Sequence, residues 1–134
     1  MSAFFLRAAA CLYAIVLMFL TLVPASVRPE TAMPPYLEHL AAFGVWGFLL
    51  VAGYGNRGML LIFYGGAYAA FLEFCQIWAP SRHARLIDLT TDASGIWIGV
   101  AVGLILLRAF RDTSSSHEPS GRRGLRQNRS DVAI

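Results

Sequence analysis

The sequence has no lysine, and charged residues of every kind are scarce. All eleven Lys/Arg positions are arginine, eight residues are acidic, and charged residues make up 14% of the chain, against roughly 25% in a typical soluble domain. Hydrophobic residues make up 57%, and the mean hydropathy is +0.56. This deficit of charge argues against a soluble globular protein and indicates an integral membrane protein. The formal charge of +3 comes mostly from the C-terminal segment and the helix ends, so we expect no nucleic-acid partner.

Cysteine and the common enzyme motifs are also scarce or missing. Cys11 and Cys75 both fall in apolar sequence, which is typical of buried free thiols, and no C-x-x-C or other zinc spacing is present. The chain has neither the H-E-x-x-H motif of zinc proteases nor the G-x-S-x-G motif of α/β-hydrolases. We therefore expect no metal and no cofactor.

Apolar sequence is abundant and falls into four segments. Their uncharged cores are residues 8–27, 40–56, 58–72 and 93–107. A helix needs about 20 residues to cross a hydrocarbon core about 30 Å thick, and the last two cores reach that length only by extending into polar sequence. The chain is thus predicted to be an all-α membrane protein with four transmembrane helices in an antiparallel up-down bundle. The helices are predicted at about 4–25, 36–54, 59–78 and 89–108.

The ends of the chain differ from the middle. Residues 1–111 are predicted to form the four-helix transmembrane domain. Residues 112–134 are rich in Ser, Gly and Arg and nearly free of aromatic residues, so we predict a disordered, basic cytoplasmic tail. A cleaved signal peptide is the alternative for segment 8–27. We favour a retained helix, because the apolar run exceeds the usual 7–15 residues and Arg7 alone precedes it.

The arginines also predict the orientation, because positive residues near helix ends favour the cytoplasmic side. With four helices both termini share one side. Six arginines within about 15 residues of a helix end lie on that side, not counting the more distant Arg126 and Arg129: Arg7, Arg57, Arg108, Arg111, Arg122 and Arg123. Three lie on the other side: Arg28, Arg82 and Arg85. We therefore predict cytoplasmic termini and outward-facing loops at 25–35 and 79–88.

Polar residues accumulate where the third apolar segment ends and the fourth begins. They are Glu73, Gln76, Arg82, His83, Arg85, Asp88 and Asp92. A spanning third helix places Glu73 about 7 Å from the membrane midplane, where a charge is costly and a functional site is the default hypothesis. Glu73 and Gln76 share a helix face, as do Asp88 and Asp92. His39 lies at the same depth on the second helix.

Two interpretations of this cluster stay open. As a site, it would use Glu73, Asp88 and His39 as candidate acid–base residues. Its ligand-binding residues would be Glu73, Gln76, Arg82, Asp88, Asp92 and Arg85. As a structural lock, its arginines would pair with carboxylates and only hold helices together or dock a partner. Small residues continue the aspartate face of the fourth helix and predict close helix packing. They are Gly95, Gly99 and Gly103.

The spacing of these residues resembles the VanZ-like family of membrane proteins. The family pattern is E-x-x-Q, then Pro, Arg and Asp, then two glycines. In this chain it is matched by Glu73, Gln76, Pro80, Arg82, Asp88, Gly95 and Gly99. His39 and Phe43 match a histidine and an aromatic residue of an earlier helix, so the resemblance covers about residues 36–103. The chain departs from the pattern at Tyr36, where the family often has Lys, and at Asp92, where it often has Asn.

The resemblance implies a multi-pass protein of the bacterial inner membrane and cell envelope. The family takes its name from a protein linked to low-level resistance to teicoplanin. We therefore expect the outward-facing site to bind or act on an amphipathic or lipid-linked envelope molecule, with a link to glycopeptide tolerance. Ser81, Arg82, Asp88 and Asp92 also resemble the last motif of PAP2-type phosphatases. Asp88 stands where those enzymes have their nucleophilic histidine, which argues against that mechanism.

Overall fold

Four α-helices are the only regular elements in residues 2–23, 33–78 and 86–115, the part of the chain that the computed structural model describes. They are α1 (Ala3–Leu22), α2 (Pro35–Tyr54), α3 (Gly58–Gln76) and α4 (Leu86–Ser115). Each is long and apolar enough to cross a membrane. The predicted all-α class, with four helices of spanning length, is confirmed for these residues.

Several predicted features lie outside the described residues. Arg82 and Arg85 are among them, as are both loops predicted to face outward, apart from their ends. Residues 116–134, most of the predicted tail, are outside as well. The described chain corrects several boundaries. The first helix ends at Leu22 and the third at Gln76, before the predicted residues 25 and 78, and α4 continues to Ser115. The fourth helix therefore takes in residues that were assigned to the tail beyond position 111.

The start of α4 also differs from the prediction, since it lies at Leu86 instead of about residue 89. One hydroxyl side chain of the predicted helix bonds back to the added first turn. Thr91 donates a hydrogen bond to the Ile87 carbonyl at 2.8 Å, and Ser94 donates to the Thr90 carbonyl at 2.6 Å. Such bonds satisfy hydroxyl groups within their own helix, so polar residues here do not end it.

The outer surface of the helices is strongly apolar. Phe63 and Trp78 are each more than two-thirds exposed, whereas soluble monomers rarely expose extended apolar surface. The interior holds a core of nine buried side chains: Leu17, Phe43, Trp46, Val51, Leu61, Ala69, Leu72, Ile96 and Val100. An apolar exterior around an apolar core indicates a multi-pass membrane protein.

The most extensive helix pair is α2 with α4, and glycines allow it. A Cβ added to Gly99 would overlap the carbonyl oxygen of Gly44 and lie 2.9 Å from the Phe48 nitrogen. A Cβ added to Gly95 would lie 2.6 Å from the Leu40 carbonyl oxygen. Backbone therefore meets backbone, which is the contact that small residues permit between membrane helices.

A buried tryptophan and a partly buried tyrosine attach α1 to the bundle. The Trp46 indole Nε1 donates to the Ala10 carbonyl at 3.0 Å, and the Tyr68 hydroxyl donates to the Ala14 carbonyl at 2.6 Å. The two rings are in contact, with centroids 4.8 Å apart. Each aromatic residue thus buries its ring while its polar tip finds an acceptor.

These contacts fix the relative directions of the helices. Arg7, early in α1, donates to the carbonyl of Gly53, late in α2, so α1 and α2 run in opposite directions. Gly58 begins α3 and faces Leu104, late in α4, so these two also run oppositely. The glycine contacts between α2 and α4 advance along both helices together, so that pair runs in the same direction.

The helix directions give the bundle two ends with different chemistry. We call one the acidic end, because four of the five acidic residues in the described ranges lie there: Glu38, Glu73, Asp88 and Asp92. We call the other the arginine end, because it holds all four arginines of those ranges: Arg7, Arg57, Arg108 and Arg111. The candidate site residues therefore belong to one end of the bundle.

Candidate functional site

Three helices bring five of the predicted site residues to the acidic end. His39 comes from the start of α2, Glu73 and Gln76 from the last turns of α3, and Asp88 and Asp92 from the start of α4. Glu73, Gln76 and Asp92 are buried, with exposures of 6%, 3% and 0%. Since a buried polar group needs a polar partner or ligand, these residues define the candidate site.

His39 and Asp92 form a direct pair between α2 and α4. Nδ1 of His39 lies 2.8 Å from Oδ1 of Asp92. When Asp92 is ionised its carboxylate can only accept a hydrogen bond, and Nδ1 of His39 is then the donor. The Asp92 side chain is fully buried, while 14% of the His39 side chain remains exposed. Phe43 stacks against the imidazole, with an interplanar angle of 18°, so two contacts hold the ring.

Glu73 and Gln76 continue the buried face of α3. The other buried residues of that helix are Leu61, Gly65, Ala69 and Leu72, and at helical spacing all of them share one side. The carboxyl group of Glu73 and the amide of Gln76 therefore belong to the interior of the bundle, away from lipid. Phe74 lies between them in sequence and is 55% exposed, which marks the opposite, lipid-facing side.

Asp88 occupies a different environment from Asp92, although the two share a helix face. Asp88 lies one turn closer to the start of α4 and is half-buried. A half-buried carboxylate at the end of a membrane helix keeps access to water, whereas Asp92 depends on the groups packed around it. The two aspartates therefore differ in burial, with Asp88 nearer the end of the bundle and Asp92 in the interior.

Thr21 is a polar residue of this end that the sequence analysis missed. It lies at the end of α1 and is 6% exposed, and the antiparallel packing of α1 on α2 brings it level with the start of α2. Its signal was weak, since a single hydroxyl residue within an apolar segment is common in membrane helices. With Thr21, all four helices contribute a polar side chain to the acidic end.

The cluster offers hydrogen bonds and acid–base groups. When the His39 ring is neutral and Nδ1 donates to Asp92, Nε2 is the acceptor nitrogen. A carboxylate orients catalytic and metal-bound histidines in the same way. Gln76 can donate and accept, while the Glu73 carboxylate accepts. No group of three or more His, Cys, Asp and Glu side chains in the described ranges is arranged to hold a metal ion. The donors and acceptors of His39, Gln76 and Glu73 suit a ligand with hydroxyl, amide or amine groups.

The chain matches no family model, no curated protein and no solved structure. The VanZ-like resemblance therefore remains a prediction from the motif residues, and the function has to be argued from the geometry of the acidic end.

Proposed function

We propose that this chain is a VanZ-like protein of the bacterial inner membrane whose acidic end binds the polar part of an amphipathic envelope molecule. The observation that carries the proposal is the burial of Glu73, Gln76 and Asp92 at one end of an otherwise apolar bundle. Ionisable groups within membrane helices are costly and usually mark sites. The apolar part of the ligand would stay in the surrounding lipid.

The proposal includes an orientation. The four helices cross the membrane alternately, as an up-down antiparallel bundle, with the arginine end and both termini in the cytoplasm. Support comes from the four arginines at that end, because positive residues favour the cytoplasmic side. The acidic end then faces outward, where cell-wall precursors and glycopeptide antibiotics act.

Each residue of the acidic end has its own role in binding the ligand. Glu73 and Gln76 contact the polar part of the ligand, and Asp88 stands at the entrance. His39, oriented by Asp92, supplies a further hydrogen-bonding nitrogen. Arg82 and Arg85 are kept from the sequence prediction as partners for a phosphate or carboxylate of the ligand. No reaction is assigned to the site.

A structural lock is the second candidate function, and one observation favours it. The His39–Asp92 hydrogen bond joins α2 and α4, which are also the most extensively packed helix pair. Under this alternative the polar residues stabilise a small helper protein or a docking surface, and no envelope molecule binds between them.

Complementation of a deletion strain separates the two candidates. The strain would carry the wild-type gene, Glu73→Gln, or the matched control Asp112→Asn, which removes a carboxylate at the arginine end. We expect Glu73→Gln to reach normal membrane levels but to fail to restore the lipid and envelope-precursor profile and the glycopeptide susceptibility of the wild type. Asp112→Asn should restore both. Full restoration by Glu73→Gln would favour the lock.

A further inference from the structure

A second candidate binding surface lies at the arginine end, on the outside of the bundle between α2 and α3. These helices are joined by a short turn, yet they make far less contact with each other than either makes with α4. The space between them is a groove of about 320 Å³ lined by Leu50, Tyr54, Arg57, Leu60, Leu61 and Tyr64. Leu60 and Tyr64 are 51% and 64% exposed, so the groove opens toward the surrounding lipid.

The groove has one charged lining residue, which lies at one of its ends, and the rest of its lining is largely apolar. Arg57 lies in the turn between the end of α2 and the start of α3, where the membrane surface is expected. Its side chain forms no hydrogen bond or ion pair with another described residue. From Arg57 to Tyr64 the wall of α3 descends about 10 Å into the apolar layer. The groove thus has the polarity of a lipid: charged at the surface and apolar below.

We propose that this groove holds one anionic phospholipid, with its phosphate at Arg57 and the upper part of an acyl chain along Leu50, Leu60 and Tyr64. Charge complementarity selects the headgroup, because the arginine end carries four arginines and one aspartate among the described residues. The volume is at the lower end of small-molecule sites, about 300–1,000 Å³. It therefore accommodates part of one acyl chain while the remainder stays in the bilayer.

Neighbouring residues keep Arg57 available for this role. Arg7 is committed elsewhere, since its Nε donates to the Gly53 carbonyl at 2.9 Å and its guanidinium lies 5.3 Å from the centre of the Tyr54 ring. Arg7 therefore fixes Tyr54 as a wall of the groove. Gly55, with a φ of 74°, makes the turn that places Arg57 at the mouth.

The test uses the full chain in lipid nanodiscs that contain phosphatidylglycerol and phosphatidylcholine in equal amounts, with retained lipids identified by native mass spectrometry. We expect the wild type to retain one phosphatidylglycerol molecule. Arg57→Gln should lower the preference of the protein for phosphatidylglycerol over phosphatidylcholine about fivefold. The matched control Arg111→Gln removes the same charge at the same end outside the groove and should retain the preference. Leu60→Trp fills the groove without a charge change and should also reduce retention.

Four results would overturn the proposal. Arg57→Gln could retain the wild-type preference, or Arg111→Gln could lose it equally, which would indicate surface charge alone. Displacement of the lipid by millimolar inorganic phosphate would indicate a site for a soluble anion. A retained mass equal to a second protomer, lost on Leu60→Trp, would identify the groove as an interface between two copies of the chain. A helical circular dichroism spectrum like that of the wild type would show that each variant is folded.

Discussion

At the scale of single residues, the His39–Asp92 pair is the most informative feature of the acidic end. The sequence placed both residues near the same depth but could not pair them. The face shared by Asp88 and Asp92 gave no reason to prefer one as the partner of His39. The outcome depends on the offset between α2 and α4, which the glycine contacts set, and that offset brings Asp92 to within 2.8 Å of the imidazole.

The strength of the pair can be measured with a double-mutant cycle in detergent micelles. We expect His39→Ala and Asp92→Ala to couple by about 0.6 kcal/mol or more in the free energy of unfolding, since hydrogen bonds between membrane helices average about 0.6 kcal/mol and reach at most about 1.7 kcal/mol. The control cycle joins His39→Ala with Asp88→Ala, since Asp88 lies on the same helix and is not bonded to His39. Additive effects in both cycles would mean that the pair contributes nothing to stability.

Arg7 gives a second prediction for a single residue. Its guanidinium donates to the Gly53 carbonyl at the end of α2 and covers the Tyr54 ring, so it combines a charge-assisted hydrogen bond with a favourable position at a helix C-terminus. Arg7→Met should lower the free energy of unfolding by about 1–2 kcal/mol. Arg111→Met, at an exposed position, should change it by less than about 0.5 kcal/mol. If Arg7→Met and Arg111→Met changed the free energy of unfolding equally, the contacts of Arg7 with α2 would have no role in stability.

At the scale of helices, the contact between α2 and α4 organises the bundle. The row of glycines was recognisable in the sequence, because small residues every four positions indicate close helix packing. The partner was not recognisable, since any of the other three helices could have met that row. Gly44 and Gly47 of α2 supply the complementary surface, and they lie in a segment where glycines have no regular spacing.

Substitution of Gly99 tests this contact. A Cβ there overlaps the Gly44 carbonyl oxygen, and both are backbone positions that cannot turn aside. We expect Gly99→Ala to lower the free energy of unfolding by about 1–3 kcal/mol. The control is Gly66→Ala in α3, where an added Cβ meets no atom within 4 Å, and alanine there should be neutral or stabilising because of its helix propensity. Equal stability of the two variants would contradict the observed packing.

The bounds of the helices show how far the limits of apolar segments predict helix ends. The limits of α2 were predicted to within about a residue, because charged or turn-forming residues flank its apolar core. Those of α4 were predicted too narrowly at both ends. Hydroxyl residues at its start bond to their own helix, and Asp112 and Thr113 at its end continue the helical backbone. Polarity alone therefore did not mark where this helix begins or ends.

At the scale of the whole molecule, the bundle is polarised along its axis. Glu38, Glu73, Asp88 and Asp92 lie at one end, and the four arginines of the described residues lie at the other. The sequence predicted this polarity, because helix order and arginine positions suffice to derive it. It could not predict which acidic groups are buried, since burial depends on helix rotation, and all four helices are apolar on almost every side.

Cysteine labelling tests the orientation. In a background that lacks Cys11 and Cys75, single cysteines at Tyr36 and Asn56 would mark the acidic and arginine ends. We expect a membrane-impermeant thiol reagent to reach position 36 and to leave position 56 unlabelled in intact cells, because the arginine end should be cytoplasmic. The opposite pattern would place the candidate site on the cytoplasmic side.

The most direct test of binding at the acidic end is to extract the protein in native membrane discs and to identify the molecules that are extracted with it. Wild type and Asp112→Asn should both be enriched, relative to bulk membrane, in the same amphipathic envelope molecule. Glu73→Gln should reduce that enrichment about tenfold or more, because it removes the carboxyl group from the site, while its helix content stays unchanged. Identical molecules in equal amounts with all three proteins would contradict the proposed site and leave the acidic end as a structural lock.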